Sequence, residues 1–223
     1  AFEAANGAAP GAYALQLVSR DGGLVASSGG IRLATEPMDD APDADTLIVV
    51  GGDGVYRATG CAATVSFVAH NGARLRRVAS VCSGAFLLAA AGLLDGRRAT
   101  THWQRTPAFA KRFPKVKLEA DRIFIRDGKI WTSAGISAGI DLALALITED
   151  LGERVTRQVA RQLVVYYRRP GGQSQFSASV LTMGTSCSGP SEQLTPMTSA
   201  PRPSRMTAAD SGSVPVTVRP SSL

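Results

Sequence analysis

Residues 77–92, Arg-Val-Ala-Ser-Val-Cys-Ser-Gly-Ala-Phe-Leu-Leu-Ala-Ala-Ala-Gly, pass from a short apolar run through small residues into an Ala/Leu-rich run. The first part, Arg77–Val81, has the continuous apolar character of a strand buried on both faces. The last, 84–91, reads as a helix that stops at Gly92. Between them, Ser80-Val81-Cys82-Ser83-Gly84 carries small residues two before and two after the cysteine. That spacing permits the sharp strand-to-helix turn known as a nucleophile elbow. Such a turn raises Cys82 above the sheet and sets it at a helix N-terminus, where the dipole favours a thiolate. The same five residues also suit a small buried side chain in a tight turn, because free cysteines are often buried.

Working outward, strand-like and helix-like segments alternate. Tyr13–Ser19 alternates as a strand, and Asp21-Gly22-Gly23 predicts a hairpin into 24–27. Residues 46–50 form a second buried strand ending in Gly51-Gly52, and a helix is expected over 62–70, closed by Asn71-Gly72. Strands are expected at 99–101 and 123–126, with Asp127-Gly128 turning the latter into 129–132; helices follow at 138–150 and 153–167. No internal repeat is present. This alternation favours an α/β sheet covered by helices on both faces.

Two further segments bear on the cysteine. The glycines of Val50-Gly51-Gly52-Asp53-Gly54 let backbone N–H groups approach a bound anion, and the Gly52 and Ser83 amides could together form an oxyanion hole. A plain strand-to-helix turn accounts for the same glycines. Thr100-Thr101-His102-Trp103 offers His102 as a neighbour able to stabilise a thiolate or relay a proton. Alone, it better fits a hydrogen-bonded structural histidine.

Composition bounds the rest. The chain has 223 residues, 44% hydrophobic and 19% charged, enough for one domain with an appendage. No apolar run approaches the ~20 residues that span a bilayer. Cys61, Cys82 and Cys187 have no metal-site spacing, and with His70 and His102 the only histidines, neither a metal nor a cofactor is expected. A reducing, cytoplasmic setting fits the three thiols. The net charge of +6 resides largely in arginines at 74–77, 97–98 and 154–169; it permits nucleic-acid contact, but scattered basic residues ordinarily form a solvated face. Residues 1–9 lack the basic and apolar regions of a signal peptide, 1–6 read as the end of a helix, and a missing N-terminal piece is expected. From 178 to 223, Ser, Thr and Pro supply 22 of 46 residues and no aromatic occurs, so a disordered tail without a helix-turn-helix pattern is expected.

Taken together, 80–94 and 96–103, with Asp-Arg-Ile-Phe-Ile-Arg-Asp-Gly from Asp121 and Trp-Thr-Ser-Ala-Gly-Ile-Ser-Ala-Gly-Ile-Asp-Leu-Ala-Leu from Trp131, resemble the ThiJ/PfpI superfamily over about 2–176. The resemblance implies a flavodoxin-like, class I glutamine amidotransferase-like domain over 1–177. Its mostly parallel sheet would be sandwiched between helices, with the first strand missing. It implies Cys82 and His102 as the catalytic pair and Gly51, Gly52, Ser83 and Gly84 as ligand-binding residues. Ser83 stands where protease-like members place a histidine, which argues against a peptidase, and the acidic partner of the family's cysteine falls before Ala1. Residues 157–176, ending Arg-Arg-Pro-Gly-Gly-Gln-Ser-Gln-Phe, resemble AraC-type regulators with an amidotransferase-like front domain. The implied role is a cytoplasmic, homodimeric sensor of a small molecule. It would reach DNA only through a half not in this chain, would touch no membrane, and is not expected to be an enzyme. The alternative is a cysteine-dependent hydratase or hydrolase resembling isonitrile hydratase.

Overall fold

Side-chain alternation along three short strands sorts the interior into two cores. The computed structural model describes residues 1–27, 29–38, 44–169, 171–173 and, as backbone, 215–220. In it β4 (Thr46–Val49), β5 (Arg77–Val81) and β9 (Ile130–Ser133) run parallel, with Leu47 opposite Val78 and Val78 opposite Ile130. Leu47, Val49, Val78 and Ile130 enter one core, whereas Ile48, Ala79 and Trp131 enter the other. Strand side chains point alternately up and down, so a strand covered on both faces is apolar throughout.

The first core is roofed by α2 (Gly54–Ala58), α3 (Ala62–Arg74), α4 (Ala85–Ala90) and α5 (Thr106–Arg112), through residues such as Val55, Val68, Phe86 and Phe109. The second is covered by α1 (Phe2–Ala8) and α6 (Ala138–Gln162), through Ala5, Leu142, Leu146 and Val159. Within α6, Gly152 sits at φ 79°, ψ 170° and breaks the helix. The two expected helices are therefore present, the second ending at Gln162. β8 (Phe124–Asp127) and β9 form the expected hairpin, with Gly128 at φ 63° in the turn. A small separate sheet pairs β6 (Arg98–Ala99) with β7 (Lys117–Leu118).

The N-terminal strands depart from expectation. β1 (Tyr13–Ser19), β2 (Asp21–Ala26) and β3 (Arg32–Pro37) are all present, but β1 and β2 form no hairpin. β3 lies between them, parallel to β1 and antiparallel to β2. Gly22 and Gly23, at φ 72° and 79°, lie inside β2 and redirect the chain without folding it back on β1.

β10 (Pro215–Pro220) falls in the stretch whose composition predicted a structureless tail, yet it forms an antiparallel strand between β1 and β4. The large sheet thus reads β2-β3-β1-β10-β4-β5-β9-β8. The rest of the predicted tail, 178–214 and 221–223, lies outside the described residues.

One arginine of the 74–77 cluster is not on a solvated face. Arg77 is 3% exposed and donates to Glu149 at 2.9 Å, to Asp150 at 2.5 Å and to Thr46 at 3.1 Å. Asp150 also accepts from Tyr13 and Arg76. No helix among the described residues is long and apolar enough to cross a membrane.

Candidate functional site

β5 delivers Cys82 to the end of a central strand, where the backbone turns into a single 3₁₀ turn, Cys82–Gly84, and then into α4. Cys82 itself takes φ 57°, a left-handed conformation costly for a residue with a side chain. Two glycines make the turn possible. A Cβ on Gly51 would lie 2.8 Å from both Cys82 Cβ and the Ser83 nitrogen; one on Gly84 would lie 2.2 Å from the Val49 carbonyl oxygen. Gly84 is therefore required for the 3₁₀ turn to pack against the end of β4.

The thiol is partly buried. Burial pushes the Cys82 thiol above its ordinary value, and the Ser83 N–H, the Ser83 hydroxyl and the nearby Arg105 charge pull the other way without overcoming it. Burial thus opposes the thiolate-favouring effect expected of a helix end. Cys61, at the start of α3, is opposite in sense: hydrogen bonds from Thr64 lower its thiol. On exposure to iodoacetamide, Cys61 should be alkylated at lower pH than Cys82, whose modification should need more alkaline conditions. Peptide mapping by mass spectrometry reads both sites, and Cys82 modification leading at neutral pH would contradict the burial argument.

The Gly52 amide donates to Ser83 Oγ at 3.0 Å, so that hydroxyl already occupies the donor expected to face a ligand. A ligand using this amide must displace the Ser83 side chain. His102 ends the segment after β6. Its Nδ1 accepts from the Gln104 N–H at 3.3 Å, which leaves Nε2 to carry the proton of the neutral ring. The ring stacks on Trp103 at 5.8 Å, and burial, aided by the Arg105 charge, holds its pKa below 6.5. Among the described residues no hydrogen bond joins His102 to Cys82. The link runs instead through the preceding residue, Thr101, whose hydroxyl donates to the Cys82 carbonyl at 2.9 Å.

Three participants escaped the sequence reading. Gly135 backs the imidazole: a Cβ there would lie 2.3 Å from His102 Cδ2. Gly135→Ala should push the ring into solvent and move its titration up toward 6.5, readable by imidazole NMR. An unmoved His102 titration would refute this contact. Arg105 lies 5.6 Å above the Tyr56 ring, spanning the turn after His102 and the helix after Gly52. Gln173, 3% exposed, inserts its amide behind Thr101. Gly135 and Gln173 both fall within motifs that stood out in the sequence; Arg105 left no signal there. Among the described residues no cluster of His, Cys, Asp and Glu could hold a metal ion.

A strained cysteine at the exit of a central strand, flanked by a Gly-Gly loop and a histidine turn in a two-faced α/β domain, defines a class of cysteine-centred flavodoxin-like domains. The model of the DJ-1/PfpI family matches residues 2–149, and the chain belongs to that family. It is 40% identical over 152 residues to isonitrile hydratase of Pseudomonas putida, an alignment covering 67% of this chain and 64% of that protein. It is 36% identical over 162 residues to the HTH-type transcriptional regulator CdhR of Pseudomonas aeruginosa, covering 71% of this chain and 47% of the regulator. The crystal structure of a THiJ/PfpI family protein from Pseudomonas syringae superposes with a TM-score of 0.64 at 32% identity, covering 74% of this chain and 70% of that one. The chain thus spans less than two thirds of the length of these two curated relatives.

Proposed function

We propose that residues 1–177 form the ligand-sensing domain of an AraC-type transcriptional regulator. A small polar or nitrogen-containing metabolite binds over Cys82 and His102, against Ser83 and the Gly51-Gly52 loop. In this reading the domain is a cytoplasmic homodimer, and DNA is contacted only by a helix-turn-helix half of the kind its regulator relatives' names imply.

The observation that carries the reading is the seat of Gln173. Its Nε2 lies 3.0 Å from the Thr101 carbonyl, 2.8 Å from the Ala120 carbonyl and 3.1 Å from Thr100 Oγ1. Thr101 in turn holds the Cys82 carbonyl. A shift of the Cys82–His102 region on ligand binding is thereby felt by the segment that leads out of the domain. A raised thiol pKa also suits a binding pocket better than a nucleophile.

The test is a thermal-shift screen of the whole chain against small nitrogenous metabolites, repeated on Cys82→Ala and Gln173→Ala. A saturable shift lost in Cys82→Ala is expected. In Gln173→Ala the same ligand should bind, and the domain should lose about 1–3 kcal/mol because buried carbonyls lose their donor. A second reading, a hydratase with Cys82 as nucleophile and His102 as proton shuttle, is favoured by the 40% identity to isonitrile hydratase. Conversion of an isonitrile and water to the corresponding N-substituted formamide, abolished by Cys82→Ser, would establish it and set the sensor reading aside.

A further inference from the structure

A cavity of about 500 Å³ lies between the β8–β9 hairpin, α6 and residues 167–169 and 171, and neither Cys82 nor His102 lines it. Its size falls within the ~300–1,000 Å³ typical of small-molecule sites. Phe124, Leu144 and Ala145 supply apolar lining, whereas Arg122, Arg126, Arg168 and Arg169 line it with four guanidinium groups against one carboxylate, Asp141. That carboxylate is already held by Arg169 at 2.7 Å. The other three arginines pair with Glu119, Glu149 and Glu153, but all three are more than half exposed, so the pairs are weak and most of their N–H donors stay free.

Two buried polar atoms of this lining lack a hydrogen-bond partner among the described residues, Trp131 Nε1 and Asp141 Oδ2, the second of which is nonetheless ion-paired with Arg169. Trp131, 4% exposed, lines the cavity, and its indole N–H has no acceptor. An unsatisfied buried donor is costly and a ligand oxygen would satisfy it, while the surrounding guanidinium groups favour an anionic one. The Arg126 guanidinium rests 4.9 Å above the Trp131 ring. Because Arg126 is exposed, it can lift from the ring at little cost and admit an anion beside the indole. A cation is disfavoured, since arginines already cover the Trp131 and Tyr167 rings.

We infer that this cavity is a second small-molecule site, separate from Cys82, that takes an organic carboxylate with an apolar body. The carboxylate meets Arg126 and the Trp131 N–H, and the apolar body lies against Phe124, Leu144 and Ala145.

Benzoate is a suitable probe, titrated calorimetrically into the whole chain. Saturable one-to-one binding is expected, with benzyl alcohol failing to bind. Arg126→Gln, at an exposed position that leaves folding intact, and Trp131→Phe should each weaken benzoate about tenfold or more, the loss expected for one such hydrogen bond. Cys82→Ser should bind as the parent does. No saturation at millimolar benzoate, equal affinity in Arg126→Gln, or loss of binding in Cys82→Ser would each overturn the assignment. Because the Cys82 variant separates the two sites, failure here leaves the sensor reading intact.

Discussion

Gly84→Ala is expected to abolish the folded domain or to cost about 4 kcal/mol or more, the range reserved for substitutions that break a specific structural constraint. The added carbon would sit 2.2 Å from the Val49 carbonyl oxygen and 3.0 Å from its carbon. Both are backbone atoms of a central strand, so no side-chain rotation relieves the overlap. Val49 pairs in register with Ser80, which prevents β4 from sliding away without opening the sheet between them. The measurement is a urea midpoint by circular dichroism, or the soluble yield if no folded material is obtained. A midpoint within about 1 kcal/mol of the parent would mean that the turn relaxes freely, contrary to close packing in protein interiors.

Arg77→Ala should be the most damaging change to a charged residue, at about 3–5 kcal/mol. Removing a buried guanidinium leaves Asp150, 7% exposed, with Arg76 and the Tyr13 hydroxyl as its remaining partners among the described residues. Replacing the exposed Arg122, whose pair with Glu119 is solvent-facing, should cost under about 1 kcal/mol. A chemical-denaturation comparison of the two variants checks the contrast, and equal losses would refute the buried network. The same cluster has a pH signature. Burial raises the Asp45 carboxyl, but hydrogen bonds from Arg76 and Thr46 more than offset it and hold the group below 3.8. A depressed folded pKa contributes stability above the unfolded value, and that stability fades as pH falls through the folded one.

The parts of the fold that were legible in the sequence are those where one segment contains its own signal. The runs at 46–50 and 77–81 are apolar on both faces because helices cover both, and no distant information is needed to read that. The Asp127-Gly128 hairpin is equally local. β3, Arg-Leu-Ala-Thr-Glu-Pro, is largely exposed and shows little apolar patterning, so its insertion between β1 and β2 went unread and a hairpin was expected instead. β10 carries a brief Val-Thr-Val alternation, swamped by the Ser, Thr and Pro around it.

The site divides in the same way. Cys82 and its small neighbours announce a tight turn, and the φ of 57° follows from that spacing. The fate of the Gly52 amide, taken up by Ser83 Oγ, depends on a rotamer that composition does not encode. The direction of the His102 ring depends on Gly135 approaching from another strand end. Likewise the thiol pKa is set by how much of the turn is buried, which a five-residue motif leaves open.

The pairing of Val216 with Ile48 bridges most of the polypeptide. While the chain is being synthesised, β1 and β4 emerge early and present unsatisfied amides and carbonyls to any extended peptide nearby. That exposure lasts until 215–220 leave the ribosome, and contacts so remote in sequence form slowly. The seam between β1 and β4 can therefore close only after 215–220 have been synthesised.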